Sequence, residues 1–373
     1  MRIGILTLPM GNNYGGILQA YALQQTLTSM GHEAVLLDRG WPESRNMRER
    51  LSSAVCSLVG LLGRDRITKE ECERRTGPEL RRFVMQHFGN RVAISPHSYA
   101  SAAASVRALN LDAIVVGSDQ IWRREYARQI GFCYLDFTAD KEMRRVAYAA
   151  SFGLDEWRYS EKETRQCAAL LARFDAVSVR EESGQRLCAE YLRTEARLMP
   201  DPTLLLSAAD YRHLFGNENA ITADGKALVS YFLGWNDRNR EIVGAVASAL
   251  GLEHRQLCKG IYFGTDPKRV TVLDSVEHWL QSFASARAVV TDSFHGTVFA
   301  IINHRQFVTL ANKSGGVSRI ETLLSHFNLR DRLVDDADNA VRTMHEPIDW
   351  AQVDDILAAD RKRARDFLTE ALG

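Results

Sequence analysis

The sequence predicts an α/β protein in which two Rossmann-like βαβ domains face a cleft. Three observations lead there. Short apolar runs such as Ile3-Gly4-Ile5-Leu6, Ala34-Val35-Leu36-Leu37 and Ala227-Leu228-Val229 have strand length and no polar alternation, as strands buried on both faces of a parallel sheet do. Amphipathic runs of helical period separate them. The chain has 373 residues, enough for two cores.

The elements follow in order. Residues 2–8 read as a buried strand, which opens into the loop Gly11-Asn12-Asn13-Tyr14-Gly15-Gly16. A helix follows with Ile17, Leu18, Tyr21, Ala22 and Leu27 on one side, and residues 34–38 give the next strand. That βαβ unit puts its loop at the carboxyl end of the first strand. Residues 41–95 are rich in arginine and glutamate and read as a helical insertion, with patches at 48–62 and 78–87. Their charge fits a solvated helix pair better than an acceptor wall. Strands resume at 112–116, 145–149 and 176–179, with helices around 159–172 and 183–192. The second half restarts at Ala227, with a helix near 238–250, a strand near 254–258 and a helix near 275–285. Residues 288–290 and 307–310 are strands, and 317–327 is a helix. These runs divide into an N-terminal domain at 1–207, a C-terminal domain at 208–348 and a terminal helix at 349–373 that packs back on the first domain.

Composition narrows the function. The chain is 45% hydrophobic and 25% charged, and its 47 basic and 47 acidic residues cancel, so nothing marks a nucleic-acid binder. The six cysteines are scattered without a Cys-x-x-Cys pair, which fits free thiols in the cytoplasm. No signal segment precedes the first strand, and no apolar run approaches the ~18 residues of a membrane span. Peripheral contact with the inner face of the membrane stays open, and oligomeric state is not readable. The ten histidines show no metal-ligand spacing, so no metal is expected.

The sharpest chemical signal is Thr291-Asp292-Ser293-Phe294-His295-Gly296, a polar hexapeptide between a strand and a helix. Ligands of open α/β folds bind at such junctions, against free N–H groups of the helix start. His295 is suited to proton transfer near neutral pH, with Asp292 as its orienting partner or as a helix cap. The loop at 11–16 lacks the G-x-G-x-x-G spacing and a P-loop lysine, so no nucleotide site is indicated. Asn12, Asn13, Tyr14, Gly15 and Gln19 either contact a sugar or form a tight turn. Ser118, Asp119, Gln120 and Trp122 combine polar groups with an aromatic face, which suits carbohydrate. Asp119 is a base, an acceptor contact or a cap. Arg180 clamps an anion or pairs with an acid. Lys313, Ser314, Gly315 and Arg319 form a second glycine-bearing loop that fits an anion pocket or plain helix capping.

Six segments in order resemble the polysaccharide pyruvyl transferase family: residues 11–21, 117–122 (Gly-Ser-Asp-Gln-Ile-Trp), 148–153 (Tyr-Ala-Ala-Ser-Phe-Gly), 178–184, Pro200-Asp201-Pro202-Thr203, and 291–297. The resemblance implies a GT-B-like glycosyltransferase architecture. It implies transfer of a pyruvyl group from phosphoenolpyruvate to two hydroxyls of one sugar, with a ketal formed and phosphate released. No further cofactor is implied. The acceptor is a surface glycan or its lipid-linked precursor. On this reading His295, Asp292 and Asp119 are catalytic. Ser293, Gly296, Lys313, Ser314, Gly315, Arg319 and Arg180 bind the donor. Asn12, Asn13, Tyr14, Gly15, Gln19, Ser118, Gln120 and Trp122 bind the acceptor. One position departs from the family: better-known members carry an arginine two residues before the motif histidine, and here Ser293 stands there. Either Lys313, Arg319 or Arg180 supplies the missing charge, or the donor differs, or donor chemistry is lost. A nucleotide-sugar glycosyltransferase and a non-catalytic glycan-binding relative are the alternatives.

Overall fold

The computed structural model describes residues 1–40, 67–127, 129–138, 143–216, 226–258, 266–311 and 317–373. Strands β1 (Arg2–Leu6), β2 (Glu33–Asp38), β3 (Arg91–Ala93), β4 (Ala113–Gly117), β5 (Arg144–Ala150), β6 (Ala176–Val179) and β7 (Arg197–Leu198) form one sheet in the order 3-2-1-4-5-6-7. Strands β8 (Ala227–Tyr231), β9 (Glu253–Leu257), β10 (Ala288–Thr291), β11 (Gln306–Leu310) and β12 (Leu333–Val334) form the other in the order 12-11-10-8-9. Every recorded pairing is parallel. The central strands are buried along their length, which explains their unbroken apolar runs. Edge strand β9 exposes Glu253, His254, Arg255 and Gln256, a polar edge that resists further pairing.

Part of the 41–95 segment differs from the expected solvated insertion. The patch at 48–62 lies outside the described residues. The helix Pro78–His87 forms as expected, with proline in its first turn, but Leu80, Phe83 and Val84 are buried. Residues 91–93 extend the sheet beside β2. Three residues are too few to carry a periodic signal, so the sequence hides this strand.

Apolar packing joins the two sheets. Tyr14, Ile17 and Leu18 of the helix Tyr14–Ser29 share a core with Trp279, Phe283 and Phe299 from helices of the second half. Tyr14 stacks on Trp279 at 5.4 Å and donates its hydroxyl to the Asp274 carbonyl at 2.7 Å. The terminal helix Trp350–Leu372 returns to the first sheet, where Ala364, Phe367 and Leu368 pack with Ile3, Ile5 and Leu23.

Candidate active site

Strand order creates the site. In the first sheet the direction of winding reverses between β1 and β4, so the loops after these strands lie side by side. In the second sheet it reverses between β8 and β10. Ligand crevices of open α/β sheets form at such switch points. Here the two switch points face each other across a cleft of ≈ 370 Å³. Asn12, Asn13, Gly15 and Asp119 line one side, and Ser293 and His295 the other.

Local chemistry turns each strand into its helix. Thr291 donates its hydroxyl to the Tyr231 carbonyl at 2.6 Å and accepts from the Ser293 N–H at 3.1 Å. Ser293 caps the helix Phe294–Ile302 by accepting from the Gly296 N–H. A Cβ on Gly296 would stand 2.3 Å from Thr291 Oγ1, so only glycine allows this approach. Asn13 caps the opposing helix in the same manner. Two helix N-termini therefore converge on the cleft, a favourable setting for an anion.

Behind the cleft lies a buried charge cluster. Arg180 donates to Asp201 at 2.6 Å and to Asp119 at 3.0 Å, and its Nε lies 3.8 Å from Glu181. Asp201 also accepts from Ser118 Oγ at 3.0 Å, Thr203 Oγ1 at 2.6 Å and the Thr203 N–H at 3.0 Å. Burial pushes the Asp201 carboxyl up, but His295, Arg180 and Thr203 outweigh it and hold the group well below the usual carboxylate range. Asp119 follows the same pattern: burial raises it, and Arg180, His295 and Arg319 bring it down. Glu181 is the exception, because burial prevails over Arg180 and Arg319 and leaves it raised. Asp119 adopts φ 58°, a left-handed conformation that short polar side chains tolerate and that aims its carboxylate at Arg180.

His295 joins this cluster to the cleft. Its Nε2 points inward, 3.8 Å from Asp201 Oδ2, a separation longer than a hydrogen bond. Its Nδ1 side lies over Gly15, where a Cβ would come within 1.9 Å. Arg319, buried at the cleft wall, reaches over the Phe294 ring at 5.9 Å. Burial first, then the Arg180 charge, draws its pKa down to about 10, so it remains a cation at neutral pH.

Comparison with known proteins decides the family. A family model described as polysaccharide pyruvyl transferase matches residues 13–314, most of the chain. The chain belongs to this family. No curated protein matches it. Among solved structures it is similar to an alpha-glucosyltransferase in complex with UDP and a 13-mer DNA, at 12% identity and TM-score 0.51 over 99% of this chain and 95% of that one. It is similar to a UDP-glucosyltransferase from Polygonum tinctorium, at 10% identity and TM-score 0.51 over 100% and 98%. A glycosyltransferase from Rickettsia africae gives 8% identity and TM-score 0.51 over 100% and 96%. These likenesses establish the GT-B glycosyltransferase architecture.

The polysaccharide pyruvyl transferase motifs separate into two groups. Asn12, Asn13, Gly15, Asp119, Gln120, Ser293, His295 and Arg319 meet at the cleft. Asn13 also donates to Asp119 at 3.2 Å, and Asn12 donates to the Glu73 carbonyl at 2.9 Å. The second group is buried and bonded within the fold. Trp122 donates to the Cys133 carbonyl and stacks on Tyr134 at 5.0 Å, so it is core and not a sugar platform. Gln19 donates to Thr7 and the Gly16 carbonyl, Ser118 donates to the Ala149 carbonyl and Asp201, and Tyr14 fastens the two halves together. None of these three lines the cleft. Arg180 is enclosed by three carboxylates, which engage its charge, and its guanidinium lies over the Phe294 ring of the second domain at 4.6 Å. Asp292 is not the partner of His295: its Oδ1 accepts from the Leu233 N–H at 2.9 Å. Lys313, Ser314 and Gly315 lie outside the described residues. The partner that sequence reasoning missed is Asp201. Its marks were an acid between two prolines just after β7 and its place in the family-like segment Pro200-Asp201-Pro202-Thr203, which assigned it no role.

Proposed function

We propose that this transferase moves a pyruvyl group from phosphoenolpyruvate to two hydroxyls of one sugar in a surface polysaccharide or its lipid-linked precursor. The observation that carries the reading is His295 on the cleft wall with the ionised Asp201 behind it. The donor carries a carboxylate and a phosphate. Arg319 and the helix start at Ser293 supply cationic and N–H partners on the second domain's wall. Arg319 thus takes over the role of the arginine that Ser293 replaces. Residues 1–207 supply the acceptor side and 208–348 the donor side.

The chemistry balances without an added cofactor. The donor's methylene carbon gains a proton, and C2 becomes electrophilic. One sugar hydroxyl adds to C2, and the second then displaces phosphate, which closes the ketal. One hydroxyl proton ends on the new methyl group and the other on the released phosphate. His295 passes these protons, and Asp201 stabilises the imidazolium form as it arises. General acid–base catalysis of this kind contributes on the order of 10²–10⁴-fold, and positioning supplies much of the remainder. No helix among the described residues is long and apolar enough to cross a membrane. A lipid-linked acceptor would be met by peripheral contact at the inner membrane face.

The test is phosphate release from phosphoenolpyruvate across a glycan panel, with mass spectrometry of the acceptor. The expected product gains one pyruvate less one water. Release of a nucleoside diphosphate from a nucleotide sugar, with no reaction of phosphoenolpyruvate, refutes the donor assignment.

A further inference from the structure

Among the described residues large apolar side chains are rarely left exposed, and two of those that are stand at the cleft. Tyr126 is 51% exposed and Leu233 49% exposed, and both line the cleft. Tyr126 closes the short turn Arg124–Tyr126 after the first sheet's switch point, and Leu233 follows β8 in the second sheet. An aromatic and an aliphatic group thus face the cleft from its two walls, at a place where water contact gives them no stabilisation.

The tyrosine is held in place. The Arg123 guanidinium lies over its ring at 4.7 Å, which occupies one face by a cation–π contact. Arg123 itself donates to Gln120 at 2.7 Å, and Arg124 donates to Glu163 and to the Ala127 carbonyl. These bonds fix the turn, so a ligand that stacks on Tyr126 meets a ring already ordered. Arg123 and Arg319 are near enough for their charges to repel. The tyrosine therefore stands beside the donor end of the cleft.

We propose that Tyr126 is the acceptor platform, on which one apolar C–H face of a pyranose ring stacks while its hydroxyl edge points toward His295. The inference rests on the pyruvyl transfer reading and deepens it. It assigns the acceptor a flat face of axial hydrogens, as in a glucoside or galactoside, and makes Tyr126 a specificity-determining residue. Arg123 is the positioning residue behind it, and Leu233 closes the opposite wall. Tyr126 also fills the place expected of Trp122, whose indole is buried four residues earlier.

Saturation-transfer NMR with methyl β-glucopyranoside, methyl β-galactopyranoside and methyl β-mannopyranoside tests it on the full chain. Thermal shift with phosphoenolpyruvate is measured alongside. At least one glycoside should bind wild type with saturation concentrated on the hydrogens of one ring face. Tyr126→Ala should weaken that glycoside by roughly tenfold, and Tyr126→Phe should restore it. The phosphoenolpyruvate shift should be the same in all three proteins. The proposal is overturned if no glycoside of the set binds wild type, if Tyr126→Ala binds as wild type does, or if it loses the phosphoenolpyruvate shift in parallel. Tyr126-dependent glycoside binding with no phosphoenolpyruvate shift in wild type supports the platform and refutes the donor reading instead.

Discussion

Adding one methyl group at Gly15 should disable the enzyme without unfolding it. Gly15 sits in the first turn of the helix Tyr14–Ser29, and its Cβ would stand 1.9 Å from His295 Nδ1, 2.3 Å from Cγ and 2.4 Å from Cε1. Ordinary contact needs about 3.5 Å, so the imidazole must retreat by about 1.5 Å. A misplacement of about 1 Å at a reacting group costs on the order of 10²-fold. Complete loss of the proton-transfer group costs up to about 10⁴-fold. Gly15→Ala should therefore lower kcat by between about 10² and 10⁴. Its effect on stability is smaller, because alanine improves a helix by up to about 1 kcal/mol while overpacking costs about 1–3 kcal/mol. Gly244→Ala is the control, since this exposed helical glycine has nothing within 4 Å of a new Cβ. That variant should gain about 0.5–1 kcal/mol and keep full activity. Phosphate release and thermal melts measure both. A Gly15→Ala enzyme with kcat within about threefold of wild type would show that the His295 position is not what the reaction requires.

Three further outcomes follow from the same contacts. Asp201 has a folded-state pKa below its unfolded value, so its stabilisation is complete above about pH 4 and is lost as pH falls through the folded value. The stability gap to Asp201→Asn should be about 3 kcal/mol and constant from pH 7 to about 5, closing only in stronger acid; urea melts that show it shrinking already at pH 6 contradict the assignment. Arg319→Gln should raise the KM for phosphoenolpyruvate by roughly 10- to 100-fold with a smaller change in kcat, and unchanged donor binding by calorimetry rejects Arg319 as the donor cation. Tyr14→Phe removes the hydroxyl that donates to the Asp274 carbonyl and accepts weakly from the Cys258 thiol, and keeps the stack on Trp279, so it should cost about 1 kcal/mol in denaturant melts and leave the acceptor KM unchanged; a raised acceptor KM would return Tyr14 to the sugar site.

The fold was largely readable because parallel strands buried on both faces leave unbroken apolar runs, as in Ala113–Gly117 and Ala288–Thr291. The switch-point loops were readable too, since Asn13, Asp119 and His295 are polar residues placed just beyond such runs. What failed was the partner of His295. Asp292 is near it in sequence, but its side chain turns to the loop after the neighbouring strand β8, where Oδ1 accepts from the Leu233 N–H. Asp201 comes from the other sheet, and no local pattern reports a contact between distant segments. The choice between Trp122 and Tyr126 fails for a related reason. Both follow β4, and only the path of the turn decides which ring is covered by Tyr134 and which meets solvent.

The paired position of Tyr14 and Gly15 explains why the site depends on domain packing. Tyr14 inserts into the second half, stacked on Trp279 and bonded to the Asp274 carbonyl, and burial pushes its hydroxyl pKa well up so that it stays a donor. The next residue has no side chain and lets His295 close on the same helix. One dipeptide therefore ties the halves together and sets their spacing at the histidine. The Leu273 N–H bond to the Thr76 carbonyl at 2.8 Å and the Arg82–Glu277 ion pair act at the same junction, the latter weakly because it is exposed. His295 and Asp201 belong to opposite sheets, so their 3.8 Å separation exists only while this junction holds. A change that loosens it should thus reduce kcat before it reduces global stability, because proton transfer falls off over distances that a packed core still tolerates. Combining Tyr14→Phe with Cys258→Ala, which removes the thiol that donates to the same hydroxyl at 3.5 Å, provides the test. Loss of kcat at a temperature well below the melting midpoint supports coupling of junction to site, and parallel loss of activity and structure denies it.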